Sequence, residues 1–255
     1  MSEYIIPDWP APEGILALGS LRTGGVSLPP FDSLNLGLHV GDDSAAVLAN
    51  RARLGRYLPG ANVVQWLNQV HGTRCVPASV QGQALEADAC WTQDRGLACA
   101  VMSADCLPVL LCDRRGSVVA AAHAGWRGLV NGVLESVIGA MSVAPAELMA
   151  WFGPAIGPQA FEVGAEVRTA FLATDPGTKE HTGKDQALVA CFREAGRPDH
   201  YLADLRGLAR WRLQRLGVKA IYGADDCTFS QPERFFSYRR DGRTGRMASL
   251  IWLVG

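Results

Sequence analysis

The stretch from Asp105 to Gly128, DCLPVLLCDRRGSVVAAAHAGWRG, constrains this chain most, because an apolar hairpin pattern runs between two soft metal ligands. Pro108 to Cys112 and Ser117 to Ala122 are short apolar runs rich in Val and Leu. Asp113-Arg114-Arg115-Gly116 between them has turn chemistry, with a glycine free to take a positive φ. The pattern predicts two buried strands and a tight turn. A turn centred between Arg114 and Arg115 sets Cys106 directly opposite His123, with Cα atoms roughly 4.5 to 5.5 Å apart, about what two ligands of one ion need. A glycine bulge would move this register by one residue. A buried thiol and a hydrogen-bonded core histidine are the alternative reading of the same pair.

A third ligand candidate, His71, follows the strand-like Val63 to Leu67 and sits beside Gly72, where a backbone or ligand can approach closely. Ligands of type His, Cys and His suit zinc, and three rather than four leave a position open for water or substrate. Asp105 adjoins Cys106 and reads as an orienter of a ligating imidazole or as a proton carrier, or else as a turn carboxylate. Asp88 reads as a catalytic carboxylate or as a cap ahead of Cys90.

Composition adds limits. A chain of 255 residues with 48% hydrophobic and 19% charged residues can bury one sizeable core, so a single domain over 1–255 is expected. A net charge of −1 gives no footprint for nucleic acid or an anionic membrane. The seven cysteines are odd in number and mostly sit in apolar runs (Cys90, Cys99, Cys112, Cys191), which predicts reduced core thiols. No basic leader or membrane-length apolar run is present, and the expectation is a cytoplasmic protein.

Along the chain, Met1 to Gly14 reads as an extended arm and Ile15 to Arg22 as a strand. Arg22 beside Gly24 and Gly25 reads as an anion-contacting loop, since glycine exposes backbone amides and arginine offers a fork of donors; an exposed turn arginine is the other reading. Asn35 and His39 lie in a Gly/Pro-punctuated loop, Asn35 as a candidate substrate contact and His39 as an isolated histidine. Asp43 or Ser44 caps a helix from Ala45 to Leu58. Leu97 to Met102 is a buried strand delivering Cys106. Trp126 to Ser142 reads as one amphipathic helix, which puts His123 between a strand end and a helix start and makes Arg127 a phosphate candidate. Leu148 to Phe152 is a strand, and Glu162 to Ala173 reads as a helix. Asp175 to Asp185 reads as a surface loop with His181 solvated. Asp204 starts a helix to Leu216 with Leu205, Leu208, Leu213 and Leu216 inward and Arg206, Arg210, Arg212 and Arg215 mostly outward. Val218 to Tyr222 and Ser249 to Leu253 are the last strands. Phe236 to Gly242 joins aromatics to Arg239 and Arg240, a combination suited to stacking a base and holding phosphate. No P-loop and no GxGxxG occur, which disfavours ATP and nicotinamide cofactors.

The runs SLRTGGVS (20–27), NQVHG (68–72), ADCLPVLL (104–111), HAGWRG (123–128), GPAIGP (153–158) and FFSYRRDGRTGRMASLIWL (235–253) together closely resemble the YfiH family. Its members carry laccase-domain or polyphenol oxidase labels and are described as zinc-dependent purine nucleoside phosphorylases. The resemblance implies a single-domain α/β fold with a mixed β-sheet and packed helices, and zinc on His71, Cys106 and His123. It implies activity on adenosine, inosine and methylthioadenosine, in a monomer or small homo-oligomer whose partners are a nucleoside and phosphate. Arg22, Arg127 and Arg239 are then the phosphate candidates. Adenosine deamination in the same pocket is a secondary expectation, weakened because the zinc-deaminase signature is absent. The alternative is a hydrolase editing UDP-linked muramyl amino acids, with Cys106 as nucleophile and His123 as base. A copper laccase is excluded by chemistry, since five histidines without a His-x-His pair cannot build its copper sites.

Overall fold

The computed structural model describes residues 4–175, 185–223 and 225–255. Its centre is two facing sheets. The first runs, in spatial order, Tyr4–Ile5, Ile15–Ser20, Met247–Leu253, Leu97–Ser103 and Val63–Gln65; the second runs Ala220–Gly223, Leu148–Phe152, Leu107–Asp113, Val119–Ala124, Ala89–Thr92 and Cys75–Pro77. Each mixes parallel and antiparallel pairs.

The continuous apolar runs follow from burial on both faces. In the Leu107–Asp113 strand, Leu110 and Cys112 pack with Cys99, Val101 and Ile251 of the opposite sheet. The alternate residues Leu107, Val109 and Leu111 pack instead with Leu134, Val137 and Met141 of the helix Val133–Met141. On the far side, Leu18, Ala100 and Trp252 of the first sheet pack on Leu34, Leu36 and Leu54, the last from the helix Ser44–Gly55. The order of layers is therefore helix, sheet, sheet, helices, in one mixed α/β domain.

Local chemistry explains where elements begin and end. Asp43 caps its helix by accepting from the Ala45 amide at 3.0 Å, and Asp204 caps Leu205–Arg215 by accepting from the Gly207 amide at 2.9 Å. The helix expected over 126–142 is two helices, Trp126–Asn131 and Val133–Met141, because Gly132 takes φ +99° between them. The helix expected over 162–173 begins only at Ala165, since Glu162–Gly164 pairs as a strand with His200–Ala203. Arg206 points inward rather than outward, donating through Nη2 to the Asp226 carbonyl. The 175–185 loop expectation, with His181, falls largely outside the described residues. All seven cysteines are free. No helix among the described residues is long and apolar enough to cross a membrane.

The predicted hairpin forms, with a different register. Asp113 accepts from the Ser117 amide at 2.7 Å, the Ser117 hydroxyl at 2.7 Å and the Val118 amide at 3.1 Å. This carboxylate moves the turn centre one residue on, between Arg115 and Gly116, whose φ is +67°. His123 therefore pairs with Pro108, not with Cys106. Cys106 lies just before the strand, on the crossover that carries the chain from one sheet to the other.

Candidate metal centre and its cleft

A two-residue shift of register preserves the face on which a strand residue points. His123 continues the alternation of Val119 and Ala121, which face the opposite sheet, so its ring closes one end of the space between the sheets. Cys106 enters this space from the crossover and His71 from the loop after Leu67–Asn68. The donor atoms of His71, Cys106 and His123 all lie within 4.8 Å of one another, with Cys106 Sγ 3.8 Å from His71 Nε2. Two ligands of a tetrahedral zinc with ordinary Zn–N and Zn–S bonds stand about 3.5 Å apart, so the donor set and its spacing fit such an ion.

The orienting carboxylate is Asp88, not Asp105. Asp88 is fully buried, and its Oδ1 lies 2.8 Å from His123 Nδ1. With that nitrogen engaged, His123 turns Nε2 toward the centre. The same carboxylate accepts from the amides of Val70 at 3.2 Å, His71 at 2.9 Å and Gly72 at 2.7 Å. One side chain thus fixes the ring of one ligand and the backbone of another. His71 has φ +61°, costly for a residue other than glycine, and the Asp88 bond to its amide holds it there. Gln69 pins the loop to the Met102 amide and carbonyl at 2.8 and 2.7 Å. Asp105 instead accepts from Thr228 Oγ1 at 2.6 Å and from the Arg239 amide at 2.7 Å, anchoring the crossover at φ +102°.

Charge follows geometry. Burial pushes the Cys106 thiol up, but the charge and hydrogen bond of His123, with those of His71, override this and bring it down to about 6. Burial pushes His123 down, and the charge of Cys106 with the hydrogen bond of Asp88 carry it up to about 9. Without an ion the pair is thiolate and imidazolium at neutral pH.

Beside the triad lies a cleft of ≈ 350 Å³ lined by His39, Tyr238, Thr244 and Arg246, among others. Burial, then the charges of Arg246, Arg51, His123 and His71, lower the His39 pKa and favour the neutral ring. Arg246 feels Cys106 and Asp105, and its Nη1 is held by the carbonyls of Thr244 and Gly245 at 3.0 Å each. Tyr238 is 61% exposed. The remaining candidates divide. Asn35 is wholly buried, bonded to Gly37, Asp42 and the Arg246 amide, so it shapes the loop rather than reaching a substrate. Arg22 donates to Asp32 and to the Pro232 carbonyl and lies over the Phe236 ring, which engages its fork within the protein. Arg127 is exposed over Trp126, and Arg239 is exposed with Nη1 on the Glu162 carbonyl.

Over residues 17–254 the sequence matches the family described as multi-copper polyphenol oxidoreductase laccase. A protein of Escherichia coli named purine nucleoside phosphorylase YfiH is 52% identical over 257 residues, which cover 100% of both chains. This chain belongs to the YfiH family. Crystal structures place the fold in the same company. A Neisseria meningitidis protein superposes with a TM-score of 0.90 at 48% identity over 100% of both chains. YlmD from Geobacillus stearothermophilus gives 0.88 at 31% identity, covering 100% of this chain and 97% of its own. Among the described residues, His71, Cys106 and His123 are the group of His, Cys, Asp or Glu side chains that converges on one point.

Asp88, His39 and Arg246 were legible only weakly or not at all, since nothing local in sequence ties them to the triad. Gly125 was a missed signal within HAGWRG. It stands across from Cys106, where a Cβ would lie 2.9 Å from Sγ and 3.3 Å from His71 Cδ2. Gly125→Ala will push the thiol off its position and weaken metal binding on the order of 10- to 100-fold, the scale of losing an orienting contact. Thermal unfolding of the metal-free variant should stay near that of wild type. Unaltered affinity by competitive chelation would refute the steric role.

Proposed function

We propose that this chain is a zinc-dependent purine nucleoside phosphorylase acting on adenosine, inosine and methylthioadenosine, with adenosine deamination as a secondary activity of the same pocket. The observation carrying this reading is the open three-ligand centre beside a cleft walled by the exposed Tyr238 ring, the Arg246 guanidinium and a neutral His39. The phosphorylase name of the Escherichia coli relative supports it. The muramyl-precursor reading gains nothing from that relative.

In phosphorolysis, phosphate attacks the anomeric carbon of the ribose while the purine leaves with the bonding pair. The site must therefore neutralise an anionic nucleophile and receive negative charge on the base. His71, Cys106 and His123 would hold the zinc, which supplies Lewis acidity at its open position. Asp88 keeps His123 in the tautomer that ligates through Nε2. Tyr238 offers a face for the purine. His39, neutral at physiological pH, stands ready to share a proton with the departing base. Arg127 and Arg239 meet phosphate, and Arg246 adds positive charge deeper in the cleft. Arg22 contributes by shaping the loop around Asp32.

The test is phosphate dependence. Purified protein given inosine should release hypoxanthine and ribose 1-phosphate only when phosphate is present. Arg239→Lys keeps the charge and loses the planar fork. It should raise the half-saturating phosphate concentration about tenfold or more, the size of one charge-assisted contact at roughly 1.5 to 3 kcal/mol, and change that for inosine less. Base release that proceeds equally without phosphate would overturn the reading.

A further inference from the structure

The short helical turn Tyr238–Asp241 carries the Tyr238 ring that walls the cleft and, next to it, Arg239. The first backbone N–H groups of any helical segment lack a partner within it. Ser237, just before the turn, accepts from the Arg240 amide at 3.2 Å. The Arg239 amide donates instead to Asp105 Oδ2 at 2.7 Å, across 134 positions of chain. Asp105 Oδ1 accepts from Oγ1 of the fully buried Thr228 at 2.6 Å, and the Asp105 carbonyl accepts from the Ile156 amide at 2.9 Å. The Thr228 amide in turn donates to the Ala155 carbonyl at 3.1 Å, and Arg240 Nη1 donates to the Thr228 carbonyl at 2.7 Å. This network ends on the residue beside the ligand Cys106. Asp105 stands at φ +102°, a conformation that a residue other than glycine keeps only where its surroundings hold it. The peptide leading into Cys106 therefore keeps its direction while the Asp105 carboxylate and carbonyl keep their partners.

We propose that Asp105 is the positioning residue that couples the metal centre to the substrate wall, so that ligation at Cys106 and the placement of Tyr238 and Arg239 stabilise one another. The inference rests on the zinc centre of the reading above. Once Cys106 Sγ is ligated, the crossover loses freedom, and the adjoining carboxylate loses it too. A carboxylate that cannot swing holds the Arg239 amide and fixes the start of the turn against the cleft. Such coupling is reciprocal, so an ordered turn also favours the position of the sulfur. Asp88 stands outside this path, since its bonds go to His123 and to the amides of Val70, His71 and Gly72. The two carboxylates therefore act on different ligands, Asp88 on the imidazoles and Asp105 on the thiolate.

Two replacements separate the side chain from the backbone. Asp105→Gly suits φ +102° but removes the carboxylate. Asp105→Asn keeps an acceptor oxygen for the Arg239 amide and offers an NH2 group to the Thr228 hydroxyl, and asparagine tolerates a positive φ. Metal-free protein is titrated with zinc, affinity is read by competitive chelation, and hydrogen exchange at the Arg239 amide is followed by NMR. In wild type and in Asp105→Asn, zinc should slow that exchange severalfold. In Asp105→Gly the exchange should be faster and indifferent to zinc, and zinc affinity should fall about tenfold, the scale of losing an orienting contact. If the position demands only a positive φ, the glycine variant will equal wild type in both measurements, and that result overturns the proposal. Wild-type exchange at Arg239 that zinc leaves unchanged overturns it as well. Protein that binds no zinc overturns the metal centre and the coupling together. Neither measurement uses nucleoside or phosphate, so a failure of coupling at full zinc affinity leaves the phosphorylase reading standing.

Discussion

Replacing any one of His71, Cys106 and His123 by alanine should abolish the proposed zinc binding while leaving the protein folded. Four-ligand structural zinc sites bind with roughly 10 to 16 kcal/mol, or about 3 kcal/mol per ligand, so each loss should weaken binding by on the order of a hundredfold or more. Cα positions should hold, because the core around the triad is formed by Leu107, Val109, Ala121 and their neighbours rather than by the ligands. Protons report the same site independently. In the metal-free protein Cys106 titrates at about 6 and His123 at about 9. Between these values the thiol has already lost its proton and the imidazolium has not, so metal uptake should release about one proton from this pair. Below pH 6 it should release about two, and affinity should fall steeply there. Calorimetry in buffers of different ionisation enthalpy measures the number. A folded Cys106→Ala variant that still binds zinc at wild-type affinity would sink the assignment.

Asp88→Asn should be the most damaging conservative change outside the triad. The asparagine side chain keeps one acceptor oxygen and turns an NH2 group toward amides that are themselves donors. Of the bonds to Val70, His71, Gly72 and His123, at most those to one oxygen survive. Charge-assisted bonds contribute roughly 1.5 to 3 kcal/mol each, so a loss of about 3 kcal/mol or more in unfolding free energy is expected, with a 10- to 100-fold loss of metal affinity. The pH dependence has a definite sign. Burial raises the Asp88 pKa, but the hydrogen bond and charge of His123 and the amides of Gly72 and Val70 bring it below the ordinary carboxylate range. Its stabilisation is therefore complete above the unfolded-state pKa and fades as pH falls through the depressed folded value. Wild type and Asp88→Asn should differ widely at neutral pH and converge in acid. Denaturant titrations at a series of pH values would expose a merely local role, if the two curves stay parallel.

What could be read from the sequence was whatever depends on neighbours along the chain. The apolar runs on either side of Asp113-Arg114-Arg115-Gly116 became paired strands, the Asp43 and Asp204 caps formed, and the ligand types at 71, 106 and 123 gave the chemistry of a soft, open site. Register resisted because it turned on the Asp113 side chain bonding Ser117 and Val118, a choice among turns that the same residues permit. The 126–142 helix broke at Gly132 because one left-handed residue outweighs an unbroken apolar stripe. Only the tertiary structure could decide that Asp88, 35 positions from His123, fixes its ring, while Asp105, adjacent to a ligand, faces Thr228 and Arg239. Only it could bring His39 and Arg246 to one cleft. Sequence fixes which groups exist and their local conformational bias. Which donor meets which acceptor in a buried site is fixed by the packing of two sheets, and each such bond is strong because water has been excluded around it.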